Sequence, residues 1–171
     1  VVSDLKSYFE KMLNRPLREI DLSLLTTYLA LDAGISEGDN KVQLLFVYDK
    51  DSSKLLFCKP ADLKEELNGV AFSSQFGEFS FAGVPCEEMV TREELFLDLL
   101  EIVSDSADVK KLIVISFNEE YGDKVRIALN AVKEKEVIQF RMSEPDGVVE
   151  YHWEMLAFPL MQALGIKGDE L

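Results

Sequence analysis

The sequence has few of the residues from which catalytic and metal sites are usually built. It contains one histidine, His152, so two histidines at helical spacing cannot occur. Its two cysteines, Cys58 and Cys86, form no C-x-x-C pair, which removes the ligand spacing of zinc-thiolate and thioredoxin-type sites. None of the nine glycines falls in dinucleotide-binding, P-loop or nucleophile-elbow spacing. We therefore predict no metal and no cofactor, and the sequence favours a non-catalytic domain.

We expect neither a membrane-spanning segment nor a signal peptide from this sequence. No run approaches the ~20 apolar residues of a spanning helix. No basic region followed by an apolar run opens the sequence. Two thiols are too few for a disulfide scaffold, so we expect both cysteines to be reduced and buried in a soluble, cytoplasmic protein.

Basic residues are the scarcer charged type. Eighteen lysines and arginines stand against 32 aspartates and glutamates, which gives a formal net charge of −14. A field of this sign repels phosphate backbones and anionic lipid, so we expect neither nucleic acid nor a membrane surface as a partner. A basic protein partner would be attracted. Hydrophobic residues make up 47% of the 171 residues, enough for one core, and we predict a single domain over residues 1–171.

The patterns that are present predict an α+β or mixed α/β fold, with helices packed on a mixed sheet. Val42–Tyr48 and Leu55–Cys58 flank a polar turn and predict a first hairpin. Val70–Phe72 and Glu78–Phe81 predict a second hairpin. Apolar spacing and end signals predict helices over five stretches: from Ser3 to Leu13, from Ile20 to the Gly34 stop, Ala61–Asn68, from Thr91 to about Val103, and from about Glu119 to Lys133.

A strand–helix–strand unit is predicted in the second half of the chain. Val109–Phe117 is the strongest apolar run, typical of a central strand covered on both faces. Val137–Met142 alternates, with Gln139 and Arg141 opposite the apolar residues, and should run parallel to it.

The tail is ambiguous. A turn at Pro145-Asp146-Gly147 would make residues 149–153 a hairpin strand, whereas the same residues also fit a helix. We favour a strand through His152, then a helix over Met155–Leu164 with Pro159 kinking it or lying in its first turn.

One candidate surface is acidic. On the helix that follows Thr91, the residues Glu94, Asp98, Glu101 and Asp105 recur at spacings of four, three and four. At ~100° per residue they lie within about 60° of one another. The apolar residues Leu95, Leu99, Leu100, Ile102 and Val103 are expected on the other, core-facing side. The stripe is either an ordinary solvated face or a binding surface for a basic partner.

An aromatic side chain suggests a second partner surface. Phe76 lies beside Gly77 in the second hairpin turn, where an exposed ring would act as an interface anchor. Packing into the core is the alternative.

A small-molecule site is the competing hypothesis. Asn118, Glu119 and Tyr121 follow the strand that ends at Phe117, and ligands collect beyond the carboxyl ends of parallel strands. Ordinary helix capping explains the same residues. His152 with either cysteine would form a Cys–His pair, a further possibility.

These patterns favour a non-catalytic protein-interaction or regulatory domain. The alternative is a small enzyme or small-molecule-binding domain with its site beyond Phe117. A deep pocket at Asn118, Glu119 and Tyr121 would favour the alternative, and a flat acidic or apolar patch would favour the interaction domain.

Overall fold

The computed structural model describes residues 2–116 and 118–171. Within them, five α-helices pack with strands that pair in both parallel and antiparallel fashion, so the α+β class is confirmed. The chain divides into two compact units, one running to Pro85 and including Phe158–Leu171, the other comprising Cys86–Ala157. The single domain stays a prediction. The predicted strand end at Phe117 lies outside the described residues.

The regular elements follow one another in short steps. In chain order they are α1 (Val2–Leu13), β1 (Ile20–Asp21), α2 (Leu22–Asp32), β2 (Asn40–Asp49), β3 (Cys58–Lys59), a π-helical turn (Leu63–Leu67), β4 (Ala71–Ser74), β5 (Gly77–Cys86), α3 (Arg92–Asp105), β6 (Lys111–Ile115), α4 (Asn118–Asn130), β7 (Glu136–Arg141), β8 (His152–Met155), α5 (Ala157–Leu164) and a 3-10 turn (Gly168–Glu170).

Helix ends follow local chemistry. The Asp21 carboxylate accepts hydrogen bonds from the amides of Ser23 and Leu24 and so caps α2. At α3, Thr91 and Glu94 form both hydrogen bonds of the predicted capping box. These signals act within a few residues, which explains why the predicted helices were found close to their expected positions.

The first unit contains two small sheets. In the larger, the order is β2–β5–β4, and β4 pairs antiparallel with β5 from Ala71↔Ser80 to Ser74↔Gly77, which confirms the second hairpin. The predicted hairpin of Val42–Tyr48 with Leu55–Cys58 is wrong, because β2 neighbours β5. Cys58 pairs instead with Ile20, in parallel.

The failure of the first hairpin has a local cause. Phe57 adopts a left-handed conformation with φ +63°, which an extended strand cannot contain. The amide of Leu55 donates to the carbonyl of Ala61 at 2.8 Å, so the segment folds back on its own next turn. Leu56 is left 69% exposed.

The second unit has a three-stranded parallel sheet in the order β6–β7–β8. The predicted strand–helix–strand unit is confirmed as β6–α4–β7, with Leu112 opposite Val137. The central position predicted for β6 is wrong, since β6 is an edge strand and Ile115 is 45% exposed. β7 is central, and every residue from Val137 to Arg141 is buried.

The tail also differs from prediction. β8 begins at His152, where the strand was expected to end, and it runs parallel to β7 rather than returning as a hairpin. Asn130, at the end of α4, holds the intervening loop: its side chain donates to Val148 O and accepts from Glu150 N. Pro159 lies in the first turn of α5, as expected.

Each unit has its own apolar cluster. In the second unit, α3 and α4 pack on the sheet through seven buried residues: Leu100, Leu112, Val114, Tyr121, Val125, Leu129 and Val137. In the first, Phe79 is fully buried and stacks on Phe72 at 4.9 Å between ring centroids. Among residues 2–116 and 118–171, no helix is both long and apolar enough to cross a bilayer.

Both cysteines are free and buried, and we expect their thiols to react slowly. Burial raises the pKa of Cys58, and the charge of Glu19 adds to this, so its reactive thiolate is scarce near neutral pH. The Cys86 thiol donates to Val90 O at 2.7 Å. Labelling of native protein with a chromogenic disulfide should therefore be slow, accelerate as the pH rises, and become fast on denaturation. Complete labelling within seconds would contradict this and would revive a cysteine nucleophile.

Candidate functional site

A cleft of ≈ 350 Å³ opens in the second unit where α4 begins. The predicted residues Asn118, Glu119 and Tyr121 all line it, so the structure brings them together. Arg126, Arg141 and Asp146 line it as well. Because Arg141 ends β7, the cleft lies at the carboxyl end of a parallel sheet, where ligand sites of such sheets occur.

Two polar side chains of β7 continue the core face towards this cleft. Alternation along the strand places Gln139 and Arg141 on the same face as Val137, which belongs to the α3/α4 cluster. Gln139 is 0% exposed and Arg141 7%. The alternating pattern separates Gln139 and Arg141 from the apolar residues of the strand, and it did not identify Arg141 as a site residue.

A hydrogen-bond chain holds these groups in place. Tyr151 Oη donates to Gln139 Oε1 at 3.0 Å, and Gln139 Nε2 donates to Ser116 Oγ at 3.2 Å. Ser116 in turn donates to Asn118 Oδ1 at 2.8 Å, at the start of α4. Arg141 donates from Nη1 to Gln139 Oε1 at 3.5 Å, and from Nε to a loop carbonyl. These hydrogen bonds link the central strand β7 to the start of α4.

Two guanidinium groups act on the Tyr151 hydroxyl of this hydrogen-bond chain. Burial raises the pKa of the Tyr151 hydroxyl, and the guanidinium groups of Arg141 and Arg126 act in the opposite direction. Arg126 pairs with Asp123 at 3.5 Å. Within the described part of the chain, Arg141 has no carboxylate at ion-pair distance. The cleft therefore contains one buried cation that lacks a counter-ion.

Tyr121 has a structural role besides lining the cleft. It is 5% exposed, and its ring lies 5.7 Å from that of Phe96 on α3. Its backbone, with φ −136° and ψ 24°, interrupts the helical geometry of α4 one turn after its start. The kink seats the ring in the core and leaves the preceding residues, Asn118 and Glu119, at the cleft.

The acidic stripe lies on the exposed side of α3. Glu94, Asp98, Glu101 and Asp105 are all exposed. Glu94 has a structural task, because it accepts hydrogen bonds from the Thr91 amide and the Thr91 hydroxyl. These two hydrogen bonds lower the pKa of Glu94. The remaining three, here called the acidic face, form no ion pair with any residue that the structure describes.

An apolar side chain borders the acidic face. Ile102, expected on the core side of α3, is 65% exposed, and that expectation is wrong. The helix turns Phe96, Leu100 and Val103 towards the core cluster. At ~100° per residue, Ile102 lies about 40° from Asp98, which places it beside the acidic face.

The whole chain matches one known family. A family of unknown function, DUF6621, matches residues 1–171. The chain belongs to this family. No curated protein and no solved structure matches it. The geometry of the second unit therefore supplies the basis for a functional proposal.

Phe76 and His152, the remaining candidates, lie outside the cleft lining. Phe76 is 4% exposed and packs with Ala30 and Phe79, so the exposed-anchor prediction is wrong and the core alternative holds. The turn at Gly77, with φ +123°, directs the chain so that Phe76 enters the core. His152 is exposed, and its Nε2 lies 2.6 Å from Glu154 Oε1.

Proposed function

We propose that the protein is a non-catalytic protein-interaction domain whose helix α3 binds a basic segment of a partner. The observation that supports this is the acidic face: Asp98, Glu101 and Asp105 are exposed and have no counter-charge in the described structure. Elsewhere on the same helix, Glu93 pairs with Lys124 of α4. The α3 carboxylates without an ion pair among the described residues are therefore those on the outward side of the helix.

The acidic face works against the stability of its own helix. Carboxylates three and four residues apart cost about 0.2–0.5 kcal/mol per pair. Glu101 and Asp105 lie towards the carboxyl end of α3, where the helix dipole disfavours negative charge, and no basic residue occupies the last turn. A basic partner would offset both effects.

Ile102 specifies the partner further. An exposed isoleucine beside carboxylates matches a segment that carries apolar and basic residues on one side, as amphipathic basic helices do. A cytoplasmic location belongs to the same proposal, and the two free, buried cysteines support it. The net charge of −14 supports a basic protein, rather than nucleic acid or anionic lipid, as the partner.

The test is the double substitution Asp98→Lys/Glu101→Lys. Because both side chains are exposed and unpaired, the fold should persist, and the melting temperature should rise by about one or two degrees as like-charge pairs are relieved. Partner capture should fall most at low salt, where screening is least. The matched control, Glu134→Lys/Glu144→Lys, makes the same change in net charge at two exposed residues outside α3.

The measurement begins with affinity purification from the native host and mass spectrometry of what co-elutes, followed by titration with the purified partner. A basic protein that binds the wild type and the control, and binds the double variant about tenfold or more weakly, supports the proposal. If the wild type, the double variant and the control bind equally, the acidic face is an ordinary solvated surface and the proposal is wrong. Unfolding of the double variant would show that these carboxylates are structurally required.

A further inference from the structure

Arg141 is a buried cation that the chain itself leaves without an anion. It is 7% exposed, and its guanidinium lines the cleft. Its hydrogen bonds are to neutral oxygens, Ser143 O at 3.1 Å and Gln139 Oε1 at 3.5 Å. Nη2 donates no hydrogen bond to any residue in the described part of the chain. The cation and its free donors therefore face the cleft.

A buried charge without a partner opposes folding. Burying an ionised side chain is unfavourable unless it is paired and hydrogen-bonded, so buried arginines normally contact carboxylates. Carboxylates are abundant in this chain, which has 32 of them. Arg15, by contrast, makes a bidentate pair with Glu170. The unmatched charge of Arg141 points to an anionic group that arrives from outside.

The rest of the cleft limits which anion can enter. Glu119 and Asp146 line it, both are exposed, and neither has an ion-pair partner among the residues described. A phosphate dianion would meet these two carboxylates and the negative field of the whole protein. A molecule that carries a positively charged group beside its carboxylate avoids that repulsion.

We infer that the cleft binds a small zwitterion of the amino-acid type, with its carboxylate on Arg141 and its ammonium group at Glu119 and Asp146. A planar guanidinium matches a carboxylate in geometry as well as in charge. The volume of ≈ 350 Å³ lies near the lower end of ligand pockets, which suits a small molecule.

Binding can be measured by titrating a panel of free L-amino acids into ¹⁵N-labelled protein at constant ionic strength. We expect at least one to give saturable shifts at the residues of the cleft, including the Gln139 side-chain amide. Its deamino analogue should bind about tenfold or more weakly, and its decarboxy analogue should not perturb Gln139. Inorganic phosphate serves as the competing anion.

Substitutions assign the two charges separately. Arg141→Met should weaken amino-acid binding by about tenfold or more, while Lys133→Met removes one positive charge from an exposed pair with Glu150 and should leave binding unchanged. Glu119→Gln/Asp146→Asn should weaken binding of the amino acid but not of its deamino analogue. If Arg141→Met fails to fold, Arg141→Lys keeps the charge without the planar fork and should still weaken binding.

Each result decides the inference. Saturable binding that is lost with Arg141 and depends on the ammonium group supports it. Tighter binding of phosphate than of any amino acid shows that the ligand class is wrong. The absence of saturable shifts from every probe overturns the site altogether, and it leaves the protein-interaction proposal for α3 untouched.

Discussion

Replacing Phe79 with alanine should lower the free energy of unfolding by about 3–5 kcal/mol, the usual range for a fully buried phenylalanine. Phe79 is 0% exposed, stacks on Phe72 at 4.9 Å, and packs with Ala30 and Phe76 in the first unit. The substitution removes the ring from close-packed surroundings that can collapse only in part. A loss of this size is a large fraction of the 5–15 kcal/mol of a typical domain.

Phe158 provides a control with the same chemistry. It is 60% exposed, so Phe158→Ala should change the free energy of unfolding by no more than about 0.5 kcal/mol. Chemical denaturation followed by circular dichroism compares both variants with the wild type. If Phe79→Ala is no more destabilising than Phe158→Ala, Phe79 is not in the packed core and the assignment of the first cluster fails.

Short-range signals were sufficient for much of the fold. The capping box at Thr91 and Glu94, and the turn between β4 and β5, depend on residues close together in sequence, and both were found as predicted. The parallel pairing of β6 with β7 follows from the length of the α4 crossover. In each case the chemistry that fixes the structure lies within the segment itself.

Strand order could not be obtained in the same way. The apolar run of β6 indicated a central strand, yet the more polar β7 holds that position. Whether a strand lies at an edge depends on which other strands pair with it, and residues 152–155 joined β7 in parallel after a loop that resembled a hairpin turn. Apolar content reported neither sheet position nor burial here, because Ile115 of the apolar β6 is exposed whereas Gln139 and Arg141 of β7 are buried.

The same limit applies to the cleft. The rule that ligands collect beyond parallel strands placed Asn118, Glu119 and Tyr121 at one site, and all three line the cleft. Arg141 was missed because the alternation of the strand separates Gln139 and Arg141 from its apolar residues without indicating that their face is buried. They are buried because α3 and α4 cover that face, and only the packing of those helices reveals it.

The second large effect is expected at Gly77, the first residue of β5. Its φ of +123° belongs to glycine. A Cβ built on Gly77 would also lie 2.6 Å from Asn40 N and 2.8 Å from Asn40 C, at the start of the neighbouring strand β2. These are backbone atoms, so no side-chain rotation relieves the overlap. Gly77→Ala should therefore separate β2 from β5 at this point.

Separation at Gly77 removes more than one contact. The Asn40 side chain donates to Phe76 O at 2.8 Å and to Ser36 O at 2.7 Å, and these hydrogen bonds hold the loop before β2 against the turn before β5. Phe76 is itself in the core beside Phe79. We expect Gly77→Ala to cost about 4 kcal/mol or more, at the upper end of single substitutions, or to prevent folding.

The substitution Gly69→Ala measures backbone strain without the atomic overlap that is present at Gly77. Gly69 also has a positive φ, +80°, but a Cβ there meets no atom within 4 Å. It should cost only the left-handed backbone penalty, about 1–2 kcal/mol. Asn40→Ala should not rescue Gly77→Ala, because the overlapping atoms belong to the Asn40 backbone. Denaturation curves of the two glycine variants decide the matter: if they have equal midpoints, β2 and β5 are not in close contact at Gly77, and the order of this sheet must be revised.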